Sequence, residues 1–199
     1  MTPMNPSPGA AAEPAIPAAA ILDEGDADVD ALLAELAASL RQQGRRVRGL
    51  IMTYPEGRDS CAAPMVLVDI DTGSSYPVSQ PLGSGSTACR ADVQGFARAS
   101  HVLRDALLDP PELVISNRFG GLEAAGGGFA AELLELLSQG VPVLTAVAPR
   151  HLAVWNRFTG DAPVLPASRT AVAGWLQQVL APSPGARADA AAGAAMPGN

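Results

Sequence analysis

Three stretches of this chain hold the residue types that could do chemistry on an anion. The first, Asp23-Glu24-Gly25-Asp26-Ala27-Asp28-Val29-Asp30, sets five carboxylates within eight residues. Two like charges about 4 Å apart repel by about 4 kcal/mol at an effective dielectric near 20, so this loop opposes direct phosphate binding. A divalent cation such as Mg²⁺ held by Asp23 and Asp26 would reverse that logic. The spacing fails as a calcium loop, because Ala31 stands at the expected glycine and Ala37 at the bidentate glutamate. The reading favoured over a metal site is that these acids cap a helix and complement its dipole.

The second stretch, Gln80-Pro81-Leu82-Gly83-Ser84-Gly85-Ser86-Thr87-Ala88-Cys89-Arg90, carries the materials of an oxyanion site. Gly83 and Gly85 let backbone approach a ligand, while Ser84, Ser86, Thr87 and Arg90 can donate to its oxygens beside a helix start. A plain flexible connection fits the same residues and is the commoner case. The third stretch runs from Asn117-Arg118-Phe119-Gly120-Gly121-Leu122-Glu123 to Gly128 and contains five glycines. Glu123 there can bind a metal, act as a base or pair with Arg118; equally, the segment can be a tight turn paired within itself. His101 and His151 form no Ser-His-Asp or Cys-His set, so packing or surface roles are expected for both.

Composition removes several chemistries. All 13 basic residues are arginine, so no P-loop lysine, Schiff-base lysine or lysine general base exists. A formal charge of −7 argues against nucleic acid as a partner. No stretch approaches the roughly 20 apolar residues of a membrane helix, and the chain reads as cytoplasmic. Cys61 and Cys89 are too few for a disulfide scaffold and are expected as free thiols.

The elements that must position these stretches alternate apolar runs with amphipathic segments, the pattern of βα units around a parallel sheet. Residues 1–15 and 181–199 are rich in Ala, Pro and Gly and are expected to be disordered, leaving one α/β domain over 16–180. Strands are predicted at 16–22, 47–53, 65–70, 113–116 and 141–147, with an inserted hairpin turning at Asp71-Thr72-Gly73 into 76–79. Helices are predicted at 29–43, 92–108, 129–138 and 168–180. Ligands of such a sheet bind beyond the carboxyl ends of its strands, which singles out the loops 23–30, 117–128 and 148–157. Trp155, Phe158 and Trp175 are expected in the core or at a docking face.

The segments Ala18-Ala19-Ala20-Ile21-Leu22, Val47-Arg48-Gly49-Leu50, Cys61 to Gly73, Ser79 to Ser86 with Cys89-Arg90, and Asn117 to Glu123 together resemble bacterial domain-of-unknown-function family 2478, over about residues 16–160. Members are sometimes found beside molybdenum-transport genes. More remotely, the layout resembles small P-loop nucleoside-triphosphatases whose central strand ends in Asp-Glu-Ile-Gly-x-x-Glu. Here Asn117 and Arg118 replace the acidic pair, while Gly120 and Glu123 keep their places. The resemblance implies a three-layer P-loop-NTPase-like fold with degenerate motifs, and a noncatalytic binding or regulatory role toward a small anion, conceivably molybdate. The alternatives are an atypical metal-dependent nucleotide phosphohydrolase, with metal on Asp23, Asp26 or Glu123 and Arg118 stabilising charge, and a protein-interaction module without a small ligand.

Overall fold

Asp28 opens the first helix by accepting a hydrogen bond from the Ala31 amide at 3.0 Å, as the reading of a capping acid predicted. In the computed structural model, which describes residues 17–55, 64–81 and 89–180, that helix follows the first strand directly. The side chains of residues 80, 81, 89 and 90 are outside this description, as are the terminal segments expected to be disordered.

In chain order the elements are β1 (Ala18–Leu22), α1 (Val29–Gln42), β2 (Val47–Thr53), β3 (Val66–Asp69), β4 (Ser75–Pro77), β5 (Ser79–Pro81), β6 (Cys89–Ala91) and α2 (Val93–Leu108). There follow β7 (Leu113–Phe119), α3 (Gly121–Ala124), α4 (Ala130–Ser138), β8 (Val143–Val147), a 3-10 turn (Pro149–His151), α5 (Leu152–Thr159), β9 (Val164–Leu165) and α6 (Arg169–Val179). The expected strands and helices are present with ends shifted by a few residues. Five features differ, one of them the short α3 within the stretch 117–128. β7 runs on to Phe119, so Asn117 and Arg118 belong to the strand and not to a loop. The stretch 148–157 contains the 3-10 turn and most of α5. β5 and β6 pair as a small hairpin, and β9 adds an edge.

The main sheet has the order β4-β3-β2-β7-β8-β1-β9. Its central strands are parallel, and the inserted β3–β4 hairpin joins antiparallel on β2. β8 and the Leu113–Ile115 part of β7 read as near-continuous apolar runs because helices cover both faces of the sheet. Alternate residues feed two separate cores. Ala18, Ala20, Val114 and Val143 face α2, α4 and α5, whereas Ala19, Ile21, Ile115 and Leu144 face α1 and α6. Helix α1 shows how sequence selects the face: Val29, Leu33, Ala37 and Leu40 recur at three- and four-residue spacing and are all buried.

Right-handed crossovers explain which helix lies where. From β2 through β7 and β8 to β9 the chain advances in one direction across the sheet, placing α2, α4 and α5 on one face. From β1 to β2 it moves the opposite way, placing α1 on the other. The reversal lies between β1 and β8, and the crevice beyond their carboxyl ends is where an open α/β sheet receives a ligand. Among the described residues, no helix is long and apolar enough to cross a membrane.

Candidate functional site

At that reversal β1 and β8 run in register from Ala18–Val143 to Leu22–Val147, and the Asp23 amide extends the pairing to the Val147 carbonyl at 2.9 Å. Asp23 is therefore fixed at the mouth of the crevice. The third contributor is β7, and an irregularity in its pairing decides what it contributes. Ser116 pairs with Thr145, but the next pair is Phe119 with Val147, so β7 carries one extra residue. Such a bulge reverses the alternation of side chains beyond it. Phe119 takes the core position on the α5 side, with its ring centroid 5.4 Å from that of Trp155, and Arg118 is turned toward α1.

Arg118 meets two carboxylates there. Its Nη1 donates to Asp23 Oδ2, and its Nη2 donates to Asp30 Oδ1 at 2.9 Å. The Asp30 side chain is 5% exposed, Asp23 16% and Arg118 30%, so this is a largely desolvated triad. Asp30 lies in the first turn of α1. The guanidinium thus ties the carboxyl ends of β1 and β7 to the start of α1, across the place where a nucleotide hydrolase of this layout would receive phosphate. Arg118 was expected to favour an anion or to pair with Glu123; instead its charge is met by Asp23 and Asp30.

Tyr54, immediately after β2, belongs to the same cluster and was not singled out from sequence. Burial raises its phenol above the ordinary value of 10.0; the Arg118 charge opposes this, and Asp28 and Asp23 add to it. Asp30 and Tyr54 become legible only once three strand ends and α1 are placed together. A titration tests the grouping. In a Tyr76→Phe background, which leaves Tyr54 as the single tyrosine, Arg118→Met should move the phenolate absorbance transition to still higher pH, because the one stabilising cation is lost. A group whose folded pKa is raised contributes stability below its unfolded pKa that is lost as pH rises, here from about pH 10 upward. An unmoved transition would separate Tyr54 from Arg118.

Asn117 serves a different contact. The β2–β7 ladder ends at Leu50–Ser116, and Asn117 Oδ1 continues it by accepting the Met52 amide at 2.8 Å. That bond fixes the amide orientation, since the reverse would set two donors together. Asn117 Nδ2 and Ser116 Oγ are then buried with no hydrogen-bond partner among the described residues. An unmet buried donor costs about 1–3 kcal/mol, so Asn117 leaves an unfilled demand for an acceptor.

Glu123 is 4% exposed and turned back into its own loop. Its Oε2 accepts the Gly120 amide at 3.0 Å and its Oε1 the Phe129 amide at 3.1 Å. Gly128 completes the turn: φ is +55°, and a Cβ there would stand 2.1 Å from Glu123 Oε1. Of the two readings of this stretch, the geometry matches the internally paired turn, with one amide on each Glu123 oxygen.

The glycine-serine stretch lies in sequence between β5 and β6, whose pairs are Ser79–Ala91, Gln80–Arg90 and Pro81–Cys89. Gly83, Ser84, Gly85, Ser86 and Thr87 lie outside the described residues, as does Cys61; of Arg90 only the backbone pairing is described. A helix does not begin directly after this stretch, as the sequence suggested. The hairpin strand β6 intervenes, and the start of α2 is occupied by Asp92, whose carboxylate accepts the Gln94 amide at 3.0 Å. Asp26 is exposed, and among the described residues no group of three or more His, Cys, Asp or Glu side chains is placed to hold a metal ion.

The family model "Protein of unknown function (DUF2478)" matches residues 18–175. Among curated proteins, "Molybdenum import ATP-binding protein ModC 2" of Bradyrhizobium diazoefficiens (strain JCM 10833 / BCRC 13528 / IAM 13628 / NBRC 14792 / USDA 110) is 38% identical over 142 residues. The match covers 71% of this chain but 16% of that relative, so the relative's name describes a much longer protein. No solved structure matches the chain significantly. The three-layer arrangement around a mainly parallel sheet is P-loop-NTPase-like, in keeping with that relative.

Proposed function

The chain belongs to the DUF2478 family, and from that premise we propose that it is a noncatalytic binding or regulatory module on a degenerate P-loop-NTPase-like scaffold, acting in molybdenum homeostasis in the cytoplasm. The observation that carries the noncatalytic reading is Arg118 held between Asp23 and Asp30. A nucleotide's phosphates need converging donors at that edge, and here the one guanidinium described in the cluster is outweighed by the carboxylates around it. Glu123 is turned into its own loop, where its two oxygens accept the Gly120 and Phe129 amides, which adds support to this reading.

Its ligand, in this proposal, is a small oxyanion such as molybdate. Support comes from the molybdenum-import relative, from the hydroxyls and Arg90 of the hairpin stretch, and from the unmet Asn117 Nδ2 donor. Titrating the purified full chain with molybdate, tungstate, sulfate and ATP with Mg²⁺ tests it. Saturable heat is expected for molybdate or tungstate, weakened at least tenfold, about 1.4 kcal/mol, by Arg90→Ala. ATP turnover is expected to be absent. Metal-dependent turnover that disappears in a folded Glu123→Gln variant would replace this reading with the phosphohydrolase one.

The closed edge also favours a second reading, an interaction module without a small ligand. Absence of saturable heat with every oxyanion would select it.

A further inference from the structure

The opposite edge of the sheet carries a feature that the carboxyl-edge site does not use. Four of the chain's 13 arginines fall within eight residues, Arg41, Arg45, Arg46 and Arg48, where α1 turns into β2. They line a cavity of about 320 Å³ together with Asp71 and Asp109. In a chain of net charge −7, this is a concentrated cationic lining.

The four side chains are not equivalent. Arg48 donates through Nη1 to the Asp105 and Asp109 carbonyls at 3.3 and 3.2 Å and through Nη2 to Asp109 Oδ2 at 2.7 Å. Arg46 Nη2 reaches Asp109 Oδ1 at 3.0 Å and also the Pro110 carbonyl. These two arginines are anchored on the end of α2, where carbonyls lack intrahelical partners and favour cations. Arg41 and Arg45 are held by other acids. Arg41 pairs with Asp71 at 3.0 Å and Arg45 with Glu112 at 2.6 Å, with side chains 38% and 40% exposed. The Arg45 hydrogen bond, with the Arg46 amide, keeps the Glu112 carboxyl below its ordinary range.

Exposed ion pairs of this kind contribute little to stability, because water already solvates both charges. An incoming anion can therefore exchange with Asp71 and Glu112 at small cost, while Arg48, 26% exposed, stays on the end of α2. A guanidinium offers five donors in a planar fork, which suits phosphate oxygens. Several forks around one cavity suit two adjacent phosphates better than one.

We infer that this arginine-lined cavity is a binding site for an anion carrying two neighbouring phosphate groups. It is independent of the oxyanion reading of the carboxyl edge.

The test is calorimetric titration of the full chain with inorganic pyrophosphate, with orthophosphate for comparison. Saturable binding of pyrophosphate is expected, at least tenfold tighter than orthophosphate and weakened by added salt. Arg41→Gln/Arg45→Gln should weaken it at least tenfold, and Arg90→Ala should leave it unchanged. Asp71→Asn removes a competing carboxylate and should tighten it several-fold, which keeps the test decisive if the double variant folds poorly. Failure of pyrophosphate to bind, insensitivity to both sets of changes, or loss of binding in Arg90→Ala would each overturn the assignment.

Discussion

Arg118→Ala is expected to lower the free energy of unfolding by about 3 kcal/mol, read as a reduced urea midpoint at unchanged slope. The magnitude comes from what the substitution leaves behind. Asp30 is 5% exposed at its side chain and Asp23 16%, so deleting the guanidinium takes the shared cation from two poorly hydrated carboxylates. Breaking a buried pair from one side costs about 3–5 kcal/mol; the lower end applies because Arg118 itself is 30% exposed. The double variant Arg118→Ala/Asp30→Asn should recover part of the loss, since the stranded charge is removed with its partner. Mg²⁺ should raise the melting temperature of Arg118→Ala more than that of the parent, because the variant lacks the guanidinium that pairs with Asp23 and Asp30. A loss below about 1 kcal/mol would mean that the triad behaves as a surface pair and does not close the crevice.

Why sequence missed this closure is a matter of parity and distance. Leu113 to Ser116 reads as a buried strand, and the polar Asn117-Arg118 that follows reads as its end. The strand continues because the bulge gives Phe119 a core position against Trp155 and sends Arg118 to the opposite face. No local pattern encodes that extra residue, and the partners of Arg118 lie 95 and 88 residues away. By contrast, α1 was legible because its capping aspartate, its three- and four-residue apolar spacing and the terminating Gly44 all act within the helix or at its ends. Helix α5 had a readable signal in Leu152, Trp155 and Thr159, which recur at helical spacing and pack inward. Its place beyond the carboxyl end of the last predicted strand is what marked the whole stretch as a loop. Among the described residues, the arginine cavity at the amino edge needed tertiary structure as well. Its four cations are close in sequence, but the acids that hold them come from the β3–β4 turn, the end of α2 and the connection from α2 to β7.

Gly49→Ala should be the most damaging of the conservative changes, with a loss of at least about 4 kcal/mol and a melting temperature lower by roughly 8–16 °C. Gly49 sits inside β2 opposite Ile115 of β7, at φ +123°, a region L side chains rarely adopt. A Cβ built there would stand 2.0 Å from the Ile115 carbonyl oxygen and 3.0 Å from its amide nitrogen. Both are backbone atoms, so no rotamer change relieves the contact, and β2 must move away from the strand that carries Asn117 and Arg118. The carbonyl of the same glycine accepts the Ile70 amide at 3.0 Å, tying the inserted hairpin to β2. Displacement therefore disturbs both neighbours of β2 together. Gly174→Ala provides the matched comparison: Gly174 lies within α6, and nothing stands within 4 Å of the position its added methyl would take. That change should stabilise by about 0.5–1 kcal/mol through helix propensity. Equal effects of the two substitutions on the melting temperature would contradict the close approach of β2 to β7 on which the position of Arg118 depends.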